Sequence, residues 1–224
     1  MANFEISYAL VARAEGGYQN FRDDPGNYNS ADQLVGTNWG ISAKTYEGYV
    51  GTLPSEADMR SITKGEAKEI YRAVFWDRIK GGEILDQQIA NIFFDGHVNH
   101  GVTGITLMQR VLKVSVDGIV GPETLLAINS KEAKSVFSGY KNARIEFYHR
   151  YADRRPEMRD RWLPVWLNRM DKFNYQISGP GFPKPSLTTM TAGATPILIL
   201  LGLMLLMSQH QWNQSPKRLR TRMI

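Results

Sequence analysis

The sequence has no cysteine, only four histidines, and no acidic residue after Asp171. Without cysteine there is no disulfide framework, no thiolate metal site and no thiol nucleophile, and the redox compartment is left open. The histidines offer one place to look for a metal, because His97 and His100 are three apart with Asp95 beside them. His149 is available to complete such a site, but no third ligand block of recognised spacing exists. No metal or other cofactor is expected; the two histidines line a cleft or face solvent. The lack of late acidic residues accounts for the net charge of +5. Lys217, Arg218, Arg220 and Arg222 supply +4 of it, so residues 1–207 carry 23 basic against 22 acidic groups, a balance of +1. A nucleic-acid-binding domain would carry its charge on a face of the fold. Here the charge belongs to a tail, and no nucleic-acid partner is expected.

Long apolar runs are also scarce, with one exception. The 224 residues, 42% of them apolar, are enough to bury one real core or two small ones. Helical periodicity continues to about residue 177 and gives way to Ser178-Gly-Pro-Gly-Phe-Pro-Lys-Pro-Ser186, which reads as a semi-extended linker over 178–187. Residues 188–207 then carry no charge, and about 20 apolar residues suffice to cross a bilayer. Trp212 and the basic cluster of 208–224 follow, as an interface anchor and cytoplasmic-side charges would. A buried core helix or an aggregation-prone tail would also be apolar, but neither explains the preceding linker. The expectation is a transmembrane helix at 188–207 in a single-pass inner-membrane protein, with the N-terminal domain periplasmic and the C-terminus cytoplasmic. Met1-Ala-Asn-Phe-Glu-Ile6 has neither a basic n-region nor an apolar h-region, so no cleavable signal peptide is expected.

Within residues 1–177 the spacing predicts a mainly helical domain. Phe4, Tyr8, Leu10 and Val11 form a stripe whose helix should stop at Gly16-Gly17. Thr63-Lys-Gly-Glu66 is a capping-box pattern opening the next helix. Further helices are expected at 84–98, 104–112, 122–128 with Pro122 at its first position, 131–151 and 162–177. Between Tyr18 and Ile41 the 3.6-residue period vanishes, and turn formers predict loops or a small β-hairpin.

That excursion carries the chemistry. Glu15 precedes Gly16-Gly17, and glycines leave the approach to a carboxyl group open. Asp24 follows nine residues later, before Pro25-Gly26, and Thr37 offers a hydroxyl able to hold a water. A glutamic acid raised by aromatic burial can protonate a leaving group while a better-solvated aspartate stays ionised, the division that glycosidic cleavage requires. Spacing alone equally fits a glutamate at a helix end among ordinary loop aspartates.

Taken in order, Glu15-Gly-Gly-Tyr18, Asp24-Pro-Gly26 and Thr37-Asn38-Trp39-Gly40-Ile41 resemble the signature of glycoside hydrolase family 108, a lysozyme-like family of phage and bacterial N-acetylmuramidases. The similarity extends through Phe75-Trp76-Asp77 and Phe94-Asp95-Gly-His-Val-Asn99-His-Gly101. Met108-Gln-Arg-Val-Leu112 and Val116-Asp-Gly-Ile-Val-Gly-Pro-Glu-Thr124 are similar to the peptidoglycan-binding module that follows in this family. The resemblance implies a mainly α, lysozyme-like (α+β) fold, with a catalytic region at 1–100 and a helical peptidoglycan-binding-like region at 101–177. It implies that Glu15 is the essential acid, with Asp24 and Thr37 completing the site, and that peptidoglycan glycan strands are the substrate. Residues 27–35 are an insertion relative to that pattern, so the second carboxylate is Asp24, Asp23 or Asp32.

Other residues carry two readings each. Tyr18, Trp39 and Trp76 either stack on sugar faces or belong to the core, and Asn99 either binds an N-acetyl group or caps a helix. Asn38 joins the substrate-binding candidates through its place beside Thr37. Asp117-Gly118 lacks the alternating oxygens of a calcium loop and reads as a turn before a helix. The interleaved charges of 144–161 read as a solvated helix face. The reading is a membrane-anchored muramidase cleaving the MurNAc-β-1,4-GlcNAc bond. Its rivals are a lytic transglycosylase and a non-catalytic glycan-gripping part of an envelope-spanning or secretion complex.

Overall fold

The computed structural model describes residues 1–12 and 17–176. Nine α-helices run through these residues: α1 (Phe4–Ala12), α2 (Ala43–Val50), α3 (Glu56–Ser61), α4 (Lys64–Ile70), α5 (Gln87–His100), α6 (Val102–Leu112), α7 (Pro122–Ser130), α8 (Ala133–Asp153) and α9 (Pro156–Asp171). A π-helical turn, Tyr71–Trp76, extends α4.

Helix α5 is the axis of the molecule. Asp86 caps it, its carboxylate accepting from the backbone N–H groups of Gln88 and Ile89 at 2.8 and 2.9 Å. Every residue from Ile92 to His100 is buried. The apolar stripe of α1 lies on one side of it, where the Phe4 ring stands edge-on to Phe94 at 6.0 Å. On the other side α6 and α8 press so close that only glycine fits. A Cβ on Gly104 would stand 2.5 Å from the Gly96 carbonyl oxygen, and one on Gly96 would stand 2.0 Å from the Tyr140 hydroxyl. Tyr140 uses the same contact to donate to the Gly104 carbonyl at 3.0 Å. Beyond this crossing, Trp166 of α9 stacks on Tyr148 of α8 at 5.4 Å, forming a second apolar cluster with Met170 and Ala152.

The helices expected at 84–98, 104–112, 122–128 and 131–151 are α5 to α8, displaced by a few residues at their ends. Pro122 stands in the first turn of α7, and Thr63 caps α4 by accepting from the Glu66 N–H at 3.1 Å. The last helix starts at Pro156 instead of 162, a proline suited to a first turn. Helices α2 and α3 were not expected, although Ser55 and Asp58 form a reciprocal capping box at the start of α3. Among the described residues the excursion holds no extended hairpin, only isolated antiparallel bridges: Gln19 with Thr37, Tyr28 with Leu34, and Asn38 with Ile41.

The membrane expectation is corrected. Among the described residues no helix is long and apolar enough to cross a membrane. The longest, α8, carries Lys134, Lys141, Arg144, Glu146, Arg150 and Asp153 along its length, and charges of that number are excluded from a hydrocarbon core. The stretch 188–207, its linker and the basic tail lie outside the described residues. A transmembrane helix therefore forms no part of the fold of the described residues, and they do not support the single-pass inner-membrane placement.

Candidate active site

The excursion between α1 and α2 is organised around Gln19. Its backbone exchanges two hydrogen bonds with Thr37, N–H to carbonyl at 2.9 Å and the reverse at 2.8 Å. Its side-chain amide donates to Asp24 Oδ2 and to Asn27 Oδ1, both at 2.9 Å, and accepts from Asn27 Nδ2 at 2.8 Å. Asp24 Oδ1 accepts from the Gly26 N–H at 2.9 Å, holding the turn that Pro25 starts. One glutamine thus ties the Asp-Pro-Gly turn to the Thr-Asn-Trp strand.

The insertion does not pull these pieces apart. The Asn27 carbonyl accepts from both Val35 and Gly36, at 2.8 and 2.9 Å, so residues 27–35 close on their own base. Asn29 builds the loop from within, its Oδ1 accepting from the N–H groups of Ala31 and Gln33 at 3.0 Å. Its amide reaches the Pro54 carbonyl at 3.1 Å. Asp32 sits exposed on this loop at a positive φ of 57°, and Asp23 is exposed beside Asp24. Asp24 alone of the three is buried, at 2% exposure. Burial pushes its carboxyl above the usual range, opposed by the bonds from Gly26 and Gln19 and assisted by the charge of Asp23. Spacing had pictured a well-solvated aspartate here; the fold provides a buried one.

Thr37 is also buried, and its Oγ1 has no hydrogen-bond partner among the described residues. Such orphaned groups are uncommon in folded proteins and call for an explanation. The next two residues are clamped to the end of α3. Asn38 donates to the Met59 carbonyl at 2.9 Å, and the Trp39 indole N–H donates to the Ile62 carbonyl at 2.9 Å from a residue at φ 50°. Tyr18 donates to the Val35 carbonyl at 3.1 Å, its ring edge filling the space that a side chain at Gly36 (φ +91°) would need. The guanidinium of Arg60 covers one face of that ring, 3.8 Å from its centroid.

Tyr18, Asp24, Thr37, Asn38 and Trp39 therefore share one polar unit, while Trp76 and Asn99 stand apart from it. Trp76 is 3% exposed and lies against Phe4 and Phe94 in the core. Asn99 is fully buried on α5; its amide donates to the Asp95 carbonyl at 2.6 Å, and its Oδ1 has no partner among the described residues. Glu15 lies outside the described residues, in the short link between Ala12, the end of α1, and Gly17. Burial holds both His97, at about 4, and His100 well below the ordinary histidine value, so neither is a cation at neutral pH. Among the described residues no group of three acidic or histidine side chains could hold a metal.

Sequence reasoning missed Gln19, Arg60 and the partners of Asp95. Asp95 is buried, with Arg144 of α8 at 2.7 Å on Oδ2 and Arg169 of α9 at 2.9 Å on Oδ1. Burial alone would raise its carboxyl, but the two guanidiniums outweigh it and hold it down to about 2. An aspartate inside an apolar helical run was the available signal, since such a group needs a buried partner. Its partners, 49 and 74 residues away, left no local trace.

The comparisons with known proteins say what kind of enzyme this scaffold belongs to. Residues 8–101 match the family described as Glycosyl hydrolase 108, and residues 103–171 match the one described as Predicted Peptidoglycan domain. Residues 8–101 are thus a glycosyl hydrolase 108 region, and a peptidoglycan-binding region follows it at 103–171. It is a glycoside hydrolase that acts on peptidoglycan. The fold is similar to that of Brucella abortus SagA, with a TM-score of 0.64 and 24% identity over 76% of this chain and 90% of that one. No curated protein matches the chain.

Proposed function

We propose that the enzyme cleaves the β-1,4 bond between N-acetylmuramic acid and N-acetylglucosamine, with Glu15 as the general acid. Glu15 gives its proton to the glycosidic oxygen as the bond to the anomeric carbon breaks. A water held by Thr37 Oγ1 adds to that carbon, and Asp24 accepts the proton the water loses. The observation that carries this reading is the Gln19 junction. It ties the aspartate to the threonine through a residue four positions after Glu15 in the sequence, and the threonine hydroxyl has no partner among the described residues. A carboxyl raised by burial is the better proton acceptor near neutral pH, and each Asp24 oxygen keeps acceptor capacity beyond its one hydrogen bond.

A second reading of Asp24 rests on those same bonds. With one oxygen on Gly26 and the other on Gln19, Asp24 is equally built as a post that positions Thr37. Asp24→Asn separates the two. Loss of the acid-side limb of the pH–rate profile marks a proton acceptor, and a lower rate with an unchanged profile marks a post.

The decisive experiment is mass spectrometry of muropeptides released from purified peptidoglycan by the full-length protein. Reducing-end muramic acid is expected. Glu15→Gln should lower its release by about 10²–10⁴-fold, the usual contribution of a general acid. Reducing-end glucosamine or anhydro-muramic acid would overturn the assigned bond or the hydrolytic step.

A further inference from the structure

Arg60 of α3 packs its guanidinium on the excursion, and the catalytic reading does not use it. Its backbone is fixed at the Thr37–Trp39 turn, because Asn38 Nδ2 also contacts the Arg60 carbonyl at 3.3 Å. Its guanidinium lies on the ring of Tyr18, the residue that follows the Glu15-Gly16-Gly17 link. One face of the Tyr18 ring is therefore covered by a guanidinium where the sequence presented an aromatic surface. Nε and Nη2 both donate to one oxygen of Glu56, at 2.9 and 2.6 Å. Nη1 has no partner among the described residues, and the Arg60 side chain is 55% exposed. An ion pair one helical turn long and open to solvent contributes little and is readily exchanged. The stack on Tyr18 keeps the planar fork oriented while leaving its outer edge free, the arrangement in which arginine recognises a carboxylate.

Resting on the family assignment and the proposed site, we infer that Arg60 is a specificity residue that binds a carboxylate of the peptidoglycan substrate, with Glu56 as its resident competitor. Peptidoglycan offers that chemistry from two sources, the acidic residues of the stem peptide and the lactyl group of a muramic acid stripped of its peptide. A neutral glycan such as chitin offers neither. Glu56 occupies Nε and Nη2 in the free enzyme and yields them when the substrate carboxylate arrives; no covalent step is involved.

The test compares the full-length protein with its Arg60→Gln, Arg60→Lys and Glu56→Gln variants on three soluble glycan preparations. The first carries free stem carboxylates, the second has them converted to methylamides, and the third is stripped of peptide. On the first, Arg60→Gln should raise KM about tenfold, the scale of one charge-assisted hydrogen bond, with kcat within about twofold. Arg60→Lys should recover part of the loss. Glu56→Gln should lower KM, a direction that damage to the fold would not produce. The difference between wild type and Arg60→Gln should vanish on the methylamides if the stem peptide supplies the carboxylate, and persist on stripped strands if the lactyl group does. Equal KM for wild type and Arg60→Gln on all three preparations would overturn the inference. Failure of the wild type to cleave any of them would overturn the proposed function instead.

Discussion

The Gln19 excursion and the α5–α8–α9 junction are both polar and both buried, yet they treat their polar groups in opposite ways. At the junction one carboxylate takes two guanidiniums: Arg144 also reaches the Ile92 carbonyl at 3.3 Å and the Tyr148 hydroxyl at 3.3 Å. Removing one partner from such a buried cluster strands the others. In the excursion the carboxylate of Asp24 takes an amide and a backbone N–H instead, and Thr37 Oγ1 has no partner among the described residues. The junction uses opposite charges to hold the hydrolase region against the helices that follow it, whereas the excursion ties its carboxylate down with neutral groups. What distinguishes them is charge pairing. Buried atoms without a partner among the described residues occur in both, Thr37 Oγ1 in the excursion and Asn99 Oδ1, His100 Nδ1 and Trp166 Nε1 along α5 and α9.

The strongest way to break this contrast is Asp95→Asn. It leaves the buried Arg144 and the partly buried Arg169 without their counter-charge and should cost about 3–5 kcal/mol, read as a large fall in the urea midpoint or in Tm. Near-wild-type stability would show that the junction is not a clasp. Acidification probes the same side of the molecule. The buried His97 is held at about 4, below its ordinary 6.5, so the unfolded chain binds the proton first. Stability from this group is fully present above about 6.5 and is lost as pH falls toward about 4. A shift of that size corresponds to roughly 3 kcal/mol, and His100 acts in the same direction. Denaturation midpoints measured between pH 7 and 4 should fall accordingly, and His97→Gln should flatten the curve.

On the excursion the effects are smaller and fall on activity. Gly36→Ala forces a Cβ to within 2.6 Å of the Tyr18 ring at φ +91°. It should cost about 1–3 kcal/mol and disturb the Arg60 platform, visible as a raised KM. Thr37→Val sharpens the comparison most, because it removes a hydroxyl that has no partner among the described residues. Stability should change by less than about 1 kcal/mol or rise, while kcat falls about tenfold or more. A large loss of stability would show that the hydroxyl is paired within the fold.

The scaffold was legible because its signals are local. The apolar stripe of Phe4, Tyr8 and Val11, the Thr63 cap and Pro122 at a helix start act within one or two turns, and each appears where the spacing placed it. Helices α2 and α3 went unread because each is held by a serine cap and docking on the excursion, with no long apolar period to announce it. Trp76 and Trp39 could not be told apart as stacking surfaces from sequence, since an aromatic at helical spacing serves the core equally well. The structure buries the first among Phe4 and Phe94 and ties the indole N–H of the second to Ile62.

By itself the sequence determined the helical scaffold, the ordered Glu15, Asp24 and Thr37 pattern and the family it signals, because helix periodicity and turn chemistry act over a few residues. Tertiary structure decided what each polar residue is left to do. It closed the 27–35 loop on Asn27, joined Asp24 to Thr37 through Gln19 and covered Tyr18 with Arg60. It also brought Arg144 and Arg169 to Asp95 across 49 and 74 residues. Whether a buried polar atom is satisfied or left free depends on partners distant in the chain, and no local pattern encodes that.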